Sequence, residues 1–250
     1  MTDVQSVAPI TIEVKPQHRF DAASLDAYLK ANISGYQGPL SVQQFEGGQS
    51  NPTFLLETPD RNYVLRRKPP GVLMRSAHAV DREYRVLAAL ARTDFPVPRP
   101  YVLCEDESVL GSVFFVMDHI PGRVMRDPLM TELTPEQRHA LVCDYVDTLA
   151  ELHAIDYRSL DLESFGRPGN YFERQISRWG RQYRETETDS IPEMHQLLDW
   201  LERSVPEQRS ISIVHGDYQF GNVLTHPTRP SVVAVLDWEL STIGDPLADF

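Results

Sequence analysis

The chain has 250 residues, 41% hydrophobic and 24% charged, enough to bury a substantial core as one large domain or two lobes. Its 36 acidic against 24 basic residues give a net charge of −12, which argues against a nucleic-acid binder, since that would need a basic stripe to displace counterions. Two widely separated cysteines, Cys104 and Cys143, argue against a disulfide framework or zinc site, and no run is apolar enough to span a bilayer. The start, MTDVQSVAPITIEV, lacks the basic lead and apolar core of a signal peptide, so a soluble cytoplasmic protein is expected.

Residues 1–20 are polar and read as a loose lead-in. Asp21–Ile33 carries Leu25 and Leu29 at helical spacing and is closed by Gly35, predicting a short helix. From Leu40 the pattern changes to short alternating runs, LSVQQF, TFLLE and NYVLRRK, separated by GGQSN and TPDRN, which predict antiparallel strands. AVDREYRVLAALA then places Val80, Tyr84, Leu87 and Ala91 on one helical face, and the prolines of FPVPRP end it. SVFFVMD is a further strand, stopped by Pro121-Gly122.

Beyond residue 122 helices dominate. Thr134, Pro135 and Gln137 form a capping-box start for a helix whose inward residues are Leu141, Tyr145, Leu149 and Leu152. FGRPGNYF reads as a loop, and PEMHQLLDWLERS as a second amphipathic helix with Met194, Leu197, Leu198 and Leu201 inward. ISIVH, NVLTH and VVAVLD return the chain to strands. Strands with one helix followed by helices around a small strand cluster point to two lobes, 1–117 and 123–250, joined by a hinge at 118–122.

The chemistry concentrates in HGDYQFGN, His215–Asn222, and in VLDWE, Val235–Glu239. Asp217 is a candidate general base for a hydroxyl proton. Asn222 offers a neutral carbonyl oxygen and Asp237, fifteen residues further on, a carboxylate; both are hard donors of the kind Mg²⁺ takes alongside phosphate oxygens. Phosphoryl transfer asks a protein mainly for alignment and charge neutralisation, and this spacing suits it. Upstream, Gly47 and Gly48 permit a tight turn, after which the amides of Gln49, Ser50 and Asn51 can face phosphate oxygens. Strand alternation in YVLRRK sets Val64 and Arg66 on one face, so that if Val64 faces an adenine, Arg66 faces the phosphates. Glu83 borders the buried stripe of its helix and needs a cation, for which Arg66 is the candidate. A plain hairpin, capped turns and solvated charges are the bland alternatives for each piece alone. No HExxH, GxSxG or GxxxxGK[ST] occurs, and His153 reads as a packing histidine.

In order, GGQSN, YVLRRK, DREYRVL, FFVMDHIPG, HGDYQFGN and LDWE…GDPLAD resemble the aminoglycoside phosphotransferase-like branch of the protein-kinase-like superfamily, from the glycine loop to the last residue. The run GGQSNPTFLL with RRKPPG and AHAVDREYRVLAAL is most similar to kinase domains related to acyl-CoA dehydrogenase fusion proteins. The resemblance implies an α+β bilobal fold: a small, mainly antiparallel β lobe with one helix and a larger, mainly helical lobe. It implies ATP and Mg²⁺ as cofactors and a small-molecule hydroxyl as acceptor. Asp217 is then the base, Asn222 and Asp237 the metal ligands, and Met117 the back of an adenine pocket edged by backbone of Asp118 and Ile120. Asp245 and Asp249 would brace the catalytic loop. Arg66 stands where lysine is usual in antibiotic kinases, keeping the charge with a planar fork. Members of this branch usually continue past the position of Phe250 into further helices that help build the acceptor pocket, so either a continuation or a minimal form is expected. A catalytically inactive nucleotide-binding module is the alternative reading, against which the intact Asp217, Asn222 and Asp237 set speaks.

Overall fold

The computed structural model describes residues 9–46, 51–69 and 80–250. The N-terminal half contains β1 (Thr11–Ile12), α1 (Ala22–Asn32), β2 (Ser41–Phe45), β3 (Thr53–Glu57), β4 (Asn62–Arg67), α2 (Val80–Leu90), β5 (Pro100–Cys104) and β6 (Phe114–Asp118). The six strands form one antiparallel sheet in the order β1-β2-β3-β4-β6-β5. The strand β5 went unread in the sequence because its prolines dominate the pattern. Pro100 opens that strand at the sheet edge, where a residue without an N–H is tolerated, and the register shifts between Pro100 and Val102.

Period-two alternation gives the sheet two apolar faces. Tyr63 and Leu65 of β4 pack with Phe54, Leu56 and Phe114 against Leu25 and Leu29 of α1. That helix starts where Asp21 accepts a hydrogen bond from the Ala23 amide. Burying each leucine stabilises by about 1.5–3 kcal/mol. On the opposite face Val64, Phe115 and Met117 meet Val80, Val86, Leu87 and Leu90 of α2. Glu83 lies inside the buried stripe of α2 rather than at its border, 1% exposed.

The second half comprises β7 (Arg123–Val124), α3 (Pro135–Ala154), α4 (Tyr171–Thr186), α5 (Pro192–Arg203), β8 (Ser212–Val214), β9 (Val223–Thr225), β10 (Val232–Val235) and β11 (Thr242–Gly244). The capping box forms as expected: Thr134 Oγ1 accepts from the Gln137 amide, and Gln137 Oε1 from the Thr134 amide. Helix α4 replaces the expected loop from Tyr171 onward. Its polar sequence hides it, because Gly180 is its one fully buried residue among those described. Leu198 of α5 is buried, but Leu197, expected inward, is 46% exposed, since α5 packs chiefly on α4. The strands form a three-stranded sheet, β10-β9-β7, and a pair, β11-β8. The apolar cluster beneath α2 continues into Leu149 and Leu152 of α3, Ile213, Val235 and Trp238, so a continuous core links the large sheet to the strands that carry the loop at His215–Asn222.

Candidate active site

Strand β8 delivers His215, fully buried, and its surroundings lock the loop that follows. His215 Nε2 donates to the Leu236 carbonyl at 2.9 Å, so Nδ1 is free to accept from the Asp217 amide at 3.2 Å. Burial lowers the pKa of this imidazole, consistent with the neutral tautomer that both bonds require. Gly216 adopts φ +84°, and a Cβ there would lie 2.7 Å from the Leu240 carbonyl oxygen. Asp249 accepts from the backbone amides of His215 (2.9 Å) and Gly216 (2.7 Å), and lies 2.9 Å from His153 Nε2. His153 therefore does more than pack: it orients the carboxylate that holds the loop. Asp245 instead caps the last short helical turn by accepting from the Leu247 amide.

Asp217 is half-buried. Gln219 Nε2 donates to its two carboxylate oxygens at 3.0 and 3.1 Å, and Asn222 Nδ2 donates to Oδ2 at 2.7 Å and to the Asp217 carbonyl at 2.9 Å. These bonds assign the Asn222 amide nitrogen and leave its carbonyl oxygen as a free donor for a cation. An ionised carboxylate has about four lone-pair sites. Three contacts fill three of them, which leaves one acceptor position on Asp217.

Asp237 follows β10 in the left-handed region, φ 64° and ψ 62°, a conformation Asp tolerates better than most residues. The next residue, Trp238, is buried with its ring 4.6 Å from that of His215, tying Asp237 to the loop. Across the cleft the Arg66 guanidinium of β4 meets three carboxylates. It lies 2.5 Å from Asp237 Oδ1, 3.4 Å from Glu239 Oε2 and 2.8 Å from Glu83 Oε2. The Glu83 contact is an ion-pair distance off the line of a hydrogen bond. Burial opposes the charge on Arg66, but the carboxylates outweigh it and hold the guanidinium above its usual pKa. Burial pushes the Glu83 carboxyl up to about 7, with Arg66 pulling the other way. Asn51 Nδ2 donates to Glu239 Oε2 at 2.9 Å, so Glu239 joins the start of β3 to the Arg66 cluster.

Between these groups lies a cavity of about 330 Å³, lined by apolar Phe45, Val64, Leu87, Met117, Leu224 and Leu236 and by polar Arg66, Glu83, Asn222 and Asp237. Of the residues singled out in the sequence, Val64, Arg66, Glu83, Met117, Asp118, Ile120, Asn222 and Asp237 all line it. Asp217 sits beside it through Asn222, and Asn51 is linked through Glu239. Gly48, Gln49 and Ser50 lie outside the described residues. The amide of Asp118 is taken by the Arg99 carbonyl at 2.9 Å, so its backbone reaches a ligand only through its own carbonyl. Sequence reading missed Glu239, His119 and Arg126; the last two also line the cavity. Glu239 had one signal, its place two residues after Asp237. Among the described residues no three His, Cys, Asp or Glu side chains form a ready metal cage.

A strand-borne cation paired with a helix-borne carboxylate, facing an Asp–Asn loop and a strand-end aspartate, is the arrangement of a kinase-like phosphotransferase. The chain belongs to the phosphotransferase enzyme family, whose model matches residues 41–250. It is 45% identical over 242 residues to Acyl-CoA dehydrogenase family member 11 of Homo sapiens, covering 95% of this chain and 31% of that protein. The Gallus gallus counterpart is 47% identical over 249 residues, covering 98% of this chain and 32% of the relative. The chain thus spans about a third of the length of these relatives. A crystal structure from Ralstonia eutropha, provisionally assigned as an aminoglycoside phosphotransferase, superposes with a TM-score of 0.84 at 49% identity, covering 93% of this chain and 68% of that one. A thermostable aminoglycoside phosphotransferase APH(4)-Ia, in ternary complex with ADP and hygromycin B, shares the fold at TM-score 0.64 and 17% identity, covering 90% of this chain and 74% of that one. The α+β bilobal kinase-like fold expected from the sequence is the fold of this chain. Among the described residues no helix is long and apolar enough to cross a membrane.

Proposed function

We propose that the chain transfers the γ-phosphoryl group of magnesium-bound ATP to a hydroxyl group of a small molecule, and that the acceptor is a hydroxyacyl-CoA thioester. The observation that carries the reading is convergence: Arg66 and Glu83 from the sheet side and Asn222 and Asp237 from the helical side line one cavity, with Asp217 at its edge. In this reading residues 1–117 form the nucleotide lobe, 118–122 the hinge and 123–250 the catalytic lobe.

Each side chain has a distinct task. Val64, Met117 and Leu224 give the cavity the apolar walls that suit an adenine ring, with the backbone of Asp118 and Ile120 along its edge. Arg66, held charged by its three carboxylates, is the phosphate-facing cation and becomes a bidentate donor once phosphate oxygens replace Asp237. Gly48, Gln49, Ser50 and Asn51 cover the phosphates. The donor set fits magnesium: a free Asn222 carbonyl oxygen and an Asp237 carboxylate are the few hard ligands this ion takes while keeping water and phosphate oxygens. Asn222 and Asp237 would hold the ion, and when bound it would supply neutralisation of the phosphate charge. Asp217 uses its remaining acceptor position to orient the attacking hydroxyl and receive its proton, while Gln219 and Asn222 keep the carboxylate from rotating away. The acceptor class rests on the relatives, whose name couples them to acyl-CoA chemistry. Two unpaired cysteines, buried Cys104 and exposed Cys143, suit a reducing compartment such as the cytoplasm.

The test is ADP release in a coupled assay across hydroxyacyl-CoA thioesters, amino alcohols and aminoglycosides, run with the wild type and Asp217→Ala. The expected result is ADP release stimulated by a hydroxyacyl-CoA and lost in the variant by about three orders of magnitude. Stimulation by no hydroxyl acceptor, or a variant within tenfold of wild type, defeats the assignment.

A further inference from the structure

A second cleft, of about 620 Å³, lies against α4, away from the cavity described above. Four arginines line it, Arg167 from the preceding loop and Arg174, Arg178 and Arg181 from successive turns of the helix, with Glu173 as its one carboxylate among the described residues. This is an unusual concentration of positive charge in a chain of net charge −12. Like charges at i, i+3 and i, i+4 repel along a helix, so the stripe is unfavourable unless something anionic meets it. No carboxylate does so within the chain's described residues: Arg167, Arg178 and Arg181 have no ion-pair partner. The contrast is on the same helix, where Arg184 pairs with Glu202 at 3.2 Å. Arg174 is fixed in place instead, donating to the carbonyls of Gly169 and Arg167, which holds the loop and the stripe as one surface.

The cleft is coupled to the catalytic loop through backbone. A Cβ on Gly166 would lie 2.5 Å from the Ile243 amide, so this loop packs directly on β11. Thr242 of that strand pairs in register with Val214 of β8. Asp217 lies three residues past Val214, a span of at most about 11 Å. Planar guanidinium forks on successive turns match phosphate groups spaced along a ligand.

We propose that this cleft is the docking site for the phosphate-bearing end of the acceptor, the 3′-phospho-ADP portion of coenzyme A, with the pantetheine arm carrying the hydroxyacyl group toward Asp217. The assignment rests on the hydroxyacyl-CoA reading above and extends it to the residues that recognise the handle. Arg178 and Arg181 supply the charge, and Arg174 shapes the surface.

The test uses Arg178→Glu/Arg181→Glu in the full chain; both side chains are exposed and neither belongs to the catalytic set. Kinetics on a hydroxyacyl-CoA are compared with the same acyl group on pantetheine. Calorimetry measures binding of CoA, 3′-dephospho-CoA and inorganic pyrophosphate. The expected result is a KM for the CoA thioester raised at least tenfold with kcat within twofold, an unchanged KM for the pantetheine thioester, and CoA binding tighter than dephospho-CoA in the wild type. An unchanged KM and CoA affinity in the variant overturn the proposal, as does pyrophosphate binding as tightly as CoA or no CoA binding by the wild type. If no hydroxyacyl-CoA is phosphorylated while CoA binds the wild type and not the variant, the acceptor reading falls and the cleft stands. Phosphorylation with the wild-type KM in the variant gives the reverse.

Discussion

Arg66 is the residue on which the interior of the site is electrostatically balanced, and replacing it with Met tests that directly. Its side chain is 11% exposed and faces Glu83 at 1%, Glu239 at 20% and Asp237 at 34%. Without the guanidinium, Asp237 and Glu239 recover hydration from the open side of the cavity, but Glu83 does not. Stranding one partner of a buried ion pair costs about 3–5 kcal/mol. For a chain of this size that corresponds to a Tm fall of about 6–20 °C. Glu83→Gln removes one of three carboxylates from a cation that keeps two, and is expected to cost only about 1 kcal/mol. The double variant Arg66→Met/Glu83→Gln leaves no buried charge stranded, so it should recover about 2 kcal/mol relative to the sum of the single changes. Urea denaturation followed by circular dichroism, on all four proteins at one pH, measures the cycle. Arg66→Met within about 1 kcal/mol of wild type, or Glu83→Gln costing as much as Arg66→Met, refutes the account of the cluster.

Three further outcomes follow from the geometry. Because burial lifts Glu83 from its ordinary 4.5 to about 7, the folded chain keeps a proton that the unfolded chain releases; stability is highest below about pH 4.5 as far as this group is concerned and declines as pH rises through 7. Urea midpoints across that window should lose this component in Glu83→Gln, and an identical slope in both proteins counts against it. Gly216→Ala forces a side chain into φ +84° and against the Leu240 carbonyl, costing about 2–4 kcal/mol and moving Asp217; a normal melting temperature would show that the turn relaxes freely. Asp237→Ala should weaken binding of magnesium-ATP at least tenfold while changing thermal stability little, as read by calorimetric titration with magnesium and by thermal melts; a magnesium-ATP affinity equal to that of the wild type removes Asp237 from the ligand set.

Local periodicity made much of the fold legible. Alternation in β4 set Val64 and Arg66 apart from Leu65 and Arg67, and in the fold the first pair lies beneath α2 and the second toward α1 and Ser112. The capping box at Thr134 was equally readable, since its hydrogen bonds lie within four residues. Helix α4 was not read, because its apolar positions Phe172, Ile176 and Tyr183 are thinly spread through a strongly polar sequence and are only half-buried. Nor was the third carboxylate on Arg66. Glu239 reaches the cluster through a short helical turn whose direction is decided by burial of Trp238, a tertiary event with no local spacing. His153 misled for a related reason: the apolar side of a helix says that a histidine is covered, but not that a carboxylate from residue 249 covers it.

The Asn51–Glu239 hydrogen bond joins positions 188 residues apart in the chain. Bringing such distant segments together costs roughly 4–5 kcal/mol of loop-closure entropy. No single contact recovers that, so the bond forms only after the intervening strands and helices have shortened the loop. On a ribosome, Arg66 and Glu83 emerge more than 150 residues before Asp237, so they can pair with each other while the second and third carboxylates on Arg66 arrive only with the end of the chain. The cavity is accordingly one of the last parts of the molecule to be assembled. Its charge balance also provides a means of telling a finished chain from one that has merely collapsed.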